Sequence, residues 1–187
     1  QHVIDDVNEQ GGAVFLAHPH WSSVNIARDT LPLHGFAGIE VFNTTCRCAG
    51  RGESAVHWDD WMEQDDRLYT VLANDDSHAV GDEEHDTYQG WTWARVQEKT
   101  AGAIVKALVM GAAYASTGPV IHDIVLRRLD EPGTESRLVE ATVKCSEALR
   151  IAAVADSTGL EYRLKDNSTF VEATFSLRTS ARWTRFE

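Results

Sequence analysis

The hydrophobic pattern of the chain changes period once, at Thr117-Gly118-Pro119, and that change limits its possible folds more than any single residue does. Before it, short continuous apolar runs alternate with stretches whose apolar residues recur three and four positions apart. After it, apolar and polar residues alternate one by one. Continuous runs suit strands buried on both faces, whereas single alternation suits strands with one face in water. Two patterns call for two differently layered bodies. The expected domains are residues 1–119 and 120–187.

In the front body, Val3, Ile4 and Val7 mark a helical stripe that Gly11-Gly12 closes. Strands are predicted over Ala13–Ala17, Gly38–Asn43 and Tyr69–Ala73, with a weaker one over Trp91–Val96. Ala55, Trp58, Trp61 and Met62 fall on one helical face, where the tryptophans are read as packing. Thr100 is placed to cap a second helix carrying Ile104, Ala107 and Leu108, and Gly111 to end it in the left-handed conformation. Strands alternating with helices predict parallel pairing in an α/β layer or barrel. In the rear body, Val139, Ala141, Val143 and Cys145 alternate with polar residues, as do Val171, Ala173, Phe175 and Leu177. These read as antiparallel strands, with turns at Glu131-Pro132-Gly133 and Asp166-Asn167-Ser168.

The charge is as uneven as the pattern. Residues 1–120 hold 18 acids against 7 bases, while residues 121–187 hold 11 against 10. A net charge of -12 repels phosphate backbones, which argues against nucleic acid as a partner. No window of 18 consecutive apolar residues is present, so no membrane-spanning helix is expected. Cys46 and Cys48 lie too close for an easy bridge and Cys145 makes a third, so free thiols in a reducing, cytoplasmic compartment are expected. A Cys-x-Cys metal site using His57 lacks the second matching pair that zinc sites usually show.

In parallel α/β architectures, ligands gather at the carboxyl ends of the strands. Here the first predicted strand runs into His18-Pro19-His20, the second carries Glu40 and ends on Asn43, and the third runs into Asn74-Asp75-Asp76-Ser77-His78. Three strands thus deliver imidazoles and carboxylates to one rim. Neutral nitrogen with anionic oxygen suits zinc, manganese or iron. Without a cation, Glu40, Asp75 and Asp76 crowd like charges at a partly buried rim, at a cost of several kcal/mol for each uncompensated ion. Asp76 and His78, two apart on an extended segment, would point the same way and meet one metal centre. Simpler readings stand beside these. His18 can end a strand on a neighbouring carbonyl, and Asp75 can cap a turn. His20 faces substrate or solvent, and His85 in the acidic run Asp82–Asp86 is a solvated loop residue. No nucleophile elbow, P-loop or dinucleotide fingerprint is present.

The segments GGAVFLAHPHW (11–21), GIEVFN (38–43), HWDDWM (57–62), VLANDDSH (71–78) and AYASTGP (113–119) resemble, in that order, the PHP (polymerase and histidinol phosphatase) superfamily. Within it, the branch of carbaryl-hydrolase-like metallohydrolases and phosphoesterases is the most similar. The resemblance implies a distorted (β/α)7 barrel with two or three divalent ions, zinc, manganese or iron. Carried over by motif, His18, Asp76 and His78 are metal ligands, and Glu40 matches a recurrent rim glutamate that supports those ligands or occasionally joins them on the metal. His20 and Asp75 are placed to orient substrate or move a proton. The family's opening His-x-His has no counterpart and would lie upstream of Gln1. The expectation is therefore a partial barrel, its carboxyl-terminal half, followed by a small antiparallel β-sandwich.

The activity so implied is metal-dependent hydrolysis of a small-molecule phosphoester by activated water. Hydrolysis of carbamate or carboxylic esters is an alternative, and a non-catalytic binding module is a rival from another class. The fragment is expected to lack part of the metal site and to be inactive alone. A half barrel leaves a parallel strand edge open, so self-association or a missing amino-terminal partner is also expected.

Overall fold

Short helices and short strands follow from short apolar segments. The computed structural model describes residues 1–65, 67–78, 86–129, 138–156, 159–164, 168–178 and 181–187. It divides into two units, Gln1–Gly118 and Pro119–Glu187. The first begins with α1 (His2–Glu9), which buries Ile4, and the chain reverses at Gly11 with φ +77°. Strand β1 (Phe15–Leu16) is followed by one π-helical turn, Ile26–Thr30. Then come β2 (Gly38–Asn43), α2 (Thr44–Arg47), α3 (Ala55–Gln64) and β3 (Thr70–Asn74). Strand β4 (Trp91–Ala94), α4 (Ala101–Val109) and β5 (Ala113–Ser116) complete the unit. The Thr100 hydroxyl accepts from the Ala103 amide and starts α4, and Gly111, at φ +73°, follows its end.

Strands β1, β2 and β3 form a parallel sheet in that order, with Phe15 opposite Gly38 and Gly38 opposite Thr70. Gly38 is required there. A Cβ at this position would lie 1.8 Å from the Thr70 carbonyl oxygen, so any side chain would force β2 away from β3. Beneath the sheet, Ile4, Ile26, Phe36, Ile39, Trp61 and Tyr69 form the core. Phe36, Trp61 and Tyr69 stack with centroids 4.8 to 5.0 Å apart, a favourable aromatic arrangement. The buried Trp61 indole donates to the Thr30 hydroxyl at 2.6 Å, so its one polar atom is satisfied.

The expected partial (β/α)7 barrel does not form. The described chain is mostly strand, in several small sheets, with only short helices. After β3 the parallel series stops. Strand β4 pairs antiparallel with β5, Trp91 opposite Ser116, in a separate two-stranded sheet. The physical reason is pairing direction. A strand-helix-strand pattern is compatible with either direction, and the periodicity that suggests a parallel crossover carries no information about the partner.

The second unit contains two three-stranded antiparallel sheets. One is ordered β10 (Phe170–Arg178), β7 (Leu138–Ala148), β6 (Ile121–Leu129). The other is ordered β11 (Thr184–Phe186), β8 (Arg150–Ala155), β9 (Gly159–Leu164). Val143, Cys145, Ile151, Ala153, Ala173 and Phe175 form their core. The predicted turn at Glu131–Gly133, and Asp166 and Asn167 of the other, lie outside the described residues. Among the described residues, no helix is long and apolar enough to cross a membrane.

Candidate functional site

Because β1, β2 and β3 are parallel, their carboxyl ends share one edge, and Glu40 organises it. Glu40 is buried, at 4 % exposure, beside a register shift in which Glu40 faces Leu72 and Phe42 faces Ala73. Bulges of this kind re-aim side chains near functional sites. Its Oε2 accepts from the His18 backbone amide at 2.7 Å and from Asn43 Nδ2 at 3.1 Å, and its Oε1 accepts from Asn74 Nδ2 at 3.0 Å. One buried carboxylate therefore ties together the ends of all three strands, through neutral donors.

Asn43 extends the network. Its Nδ2 also donates to Asp76 Oδ2 at 3.1 Å, while its Oδ1 accepts from the Cys46 amide and caps α2. Asp76 Oδ2 in turn lies 3.9 Å from His18 Nε2. That is too long for a hydrogen bond. His18 Nδ1 is 3.1 Å from the Ser22 hydroxyl. Four non-glycine residues among those described have positive φ: His18 at +27°, Ser23 at +53°, Asp76 at +53° and Tyr88 at +56°. Both members of the facing pair are among them, and such strained backbones concentrate at functional sites.

Asp75 is committed elsewhere. Its Oδ1 accepts from the Thr44 hydroxyl and from the Gln89 and Gly90 amides, and its Oδ2 accepts from the Tyr88 amide at 2.6 Å. Burial pushes its carboxyl upward, but these bonds together outweigh burial and hold it below the usual range. Asp75 thus fastens the segment 88–90 to the start of α2.

His78 is not brought to the pair. The left-handed conformation of Asp76 breaks the extended geometry that would point both side chains one way, and His78 is exposed. Its backbone amide donates to Asp86 Oδ2 at 2.7 Å. Asp86 also accepts from the Ser77 and Thr45 hydroxyls, so the last member of the acidic run is a loop anchor. Residues 82–85, including His85, lie outside the described residues.

His20 sits next to a segment that runs back along β2, where the Asn43 amide donates to the Gly52 carbonyl and the Ser54 amide to the Val41 carbonyl. Its Nδ1 lies 3.0 Å from the Glu53 carbonyl oxygen, which can only accept. In the neutral ring this contact selects the tautomer with the proton on Nδ1 and the lone pair on Nε2. The His57 ring lies 5.9 Å from that of His20, and its buried Nδ1 has no hydrogen-bond partner among the described residues. Burial, then the neighbouring His20, push His57 below its ordinary pKa against the opposing pull of Asp60.

The strand-end rule points to Asn43 and Asn74 in the sequence, since each ends its strand, but assigns them no task. The sequence places Asp86 in an acidic run and weighs His57 only as a partner of Cys46 and Cys48, so neither the loop anchor nor the His20–His57 pair is marked by the pattern. No protein-family model, curated protein or solved structure matches the chain. Among the described residues, no group of three or more His, Cys, Asp and Glu side chains is arranged to hold a metal ion. His18 and Asp76 are thus a facing pair of donors.

Proposed function

We propose that the rim at the ends of β1, β2 and β3 is the divalent-cation site of a hydrolase that acts on small-molecule phosphoesters. The observation that carries this reading is the His18–Asp76 pair, 3.9 Å apart on two left-handed backbones and braced by Asn43 and Glu40. A neutral imidazole and an anionic carboxylate suit zinc, manganese or iron. His18 and Asp76 would hold the ion. Glu40, with its oxygens taken by three neutral donors, acts by orienting both. Two or three ions, with His78 as a further ligand, would need donors beyond this pair.

A bound cation of this kind supplies Lewis acidity and brings the pKa of water to about 7. The chain's own residues supply the rest. His20 offers its Nε2 lone pair, which suits it to take up a proton or to hold a substrate hydroxyl. Asp75, with both oxygens occupied, contributes by holding segment 88–90 in place. The choice of phosphoester rests on the five motif segments that resemble the PHP superfamily. Three free thiols, Cys46, Cys48 and Cys145, support a reducing, cytoplasmic setting.

The test is hydrolysis of an aryl phosphate and of the matching aryl carboxylic ester, with manganese or zinc added. Expected is cation-dependent phosphate release that falls at least about a hundredfold in Asp76→Asn and His18→Ala. Faster cleavage of the carboxylic ester would move the reading to esters. Cation binding at the rim without turnover of either substrate would make the ion structural and end the hydrolase reading.

A further inference from the structure

The rear unit carries an interaction surface independent of the hydrolase reading. Strand β6 is the edge of its sheet, and among the described residues only β7 pairs with it. Three consecutive apolar residues on it are exposed: Ile124 at 41 %, Val125 at 44 % and Leu126 at 65 %. Ile124 and Leu126 stand opposite Val143 and Ala141, both buried, so they lie on the face that carries the core and yet remain open to water. A nine-residue edge strand with an exposed apolar centre and no proline is a template for another strand.

The sequence of β6 says which strand fits. Laid antiparallel to itself about Val125, the strand places Asp123 opposite Arg127 and Ile124 opposite Leu126, each pair occurring twice by symmetry. The neighbouring strands continue the match. Asp123 is opposite Lys144, whose ammonium lies 3.7 Å from Glu172, and Arg127 lies 4.0 Å from Glu140. With a second copy in place, one row across the outer face would read Glu172, Lys144, Asp123, then Arg127 and Glu140 of the second copy. The signs alternate without interruption across the seam. A slip of two residues would set either Asp123 or Arg127 against Val125, and the other against Leu129 or Ile121, and destroy that order.

We propose that β6 is the seam of a two-fold homodimer, in which two copies pair antiparallel through Asp123–Arg127 and Ile124–Leu126 to make a six-stranded sheet. The interface is isologous, as a closed two-fold pair requires. Opposite charges directly across a strand pair stabilise it and like charges oppose it.

Sedimentation velocity of the full chain over a concentration series, with Asp123→Arg and Arg127→Asp variants, tests the seam. The wild-type chain is expected to dimerise. Each variant alone sets like charges opposite each other at both symmetric positions and should associate at least about tenfold more weakly. An equimolar mixture of the two variants should recover a dimer, because one copy then offers two arginines and the other two aspartates. That recovery also shows that both variants are folded. A monomeric wild-type chain, variants that still dimerise alone, or a mixture that does not recombine would overturn the proposal.

Discussion

Glu40 is the point at which the rim is most open to attack. Glu40→Ala removes the acceptor of the His18 amide and one of the two acceptors of Asn43 Nδ2, both within the strand ends. Asn74, which is exposed, can turn to water. A buried donor left without a partner costs about 1–3 kcal/mol, and the lost side-chain volume adds about 1–2 kcal/mol. Release of a buried charge offsets part of this, for an expected net loss of about 2–4 kcal/mol. Glu40→Gln behaves differently. Its amide oxygen can take the place of Oε2, accepting from His18 and Asn43, while Asn74 turns its own oxygen toward the new NH2 group. Its cost should stay within about 1 kcal/mol. Urea unfolding followed by tryptophan fluorescence measures both, and hydrogen exchange at the His18 amide reports the local bond, which should open in the alanine variant alone. An alanine variant as stable as wild type, or a glutamine variant as damaged as alanine, would refute a rim built around Glu40.

Two further expectations follow from the same geometry. The folded-state pKa of Asp75 is lowered, so the folded protein binds fewer protons there than the unfolded chain; its contribution is complete above the unfolded carboxyl value of about 3.9 and is lost as pH falls through the folded value. Asp75→Asn should therefore destabilise at neutral pH and flatten the acid limb, which urea midpoints measured from pH 7 to pH 3 will show. Gly38→Ala places a methyl group 1.8 Å from the Thr70 carbonyl oxygen, where only backbone can yield. A loss of at least about 3 kcal/mol is expected by thermal unfolding, and an unchanged midpoint would mean that β2 and β3 are not paired in this register.

Much of the local structure is legible in the sequence, and the reasons are specific. Strand β2 coincides with the run Gly38–Asn43 because both of its faces are covered and the run ends in a capping asparagine. The period-two alternation of Val139–Cys145 and Ala173–Leu177 marks β7 and β10 because one face of each is in a core, whereas Val171 is exposed because the register shifts between Phe170 and Glu172 and Phe170 packs instead. The barrel is a misreading of pairing direction, since β4-α4-β5 has the order of a parallel crossover and the register of an antiparallel pair. At the candidate site, the strand-end rule names His18, Glu40 and Asp76, which the structure brings to one rim. It misplaces His78 because spacing by two assumes an extended backbone, and Asp76 adopts a left-handed one. It assigns Asp75 to chemistry because a carboxylate in sequence shows its charge but not the four donors that occupy it. Strand β6 is not among the strands expected from alternation, because the consecutive apolar residues Ile124-Val125-Leu126 interrupt that pattern, and only the sheet order reveals an edge.

Whether His18 and Asp76 grip the same ion is best measured by a double-mutant cycle on manganese affinity, using His18→Ala, Asp76→Ala and the combined variant. Ligands of one ion act as a unit, so each single change should lower affinity at least about tenfold and the pair should lose little more than the worse single. Losses that simply multiply, or affinities that do not change, would mean that the two side chains face each other without sharing a cation.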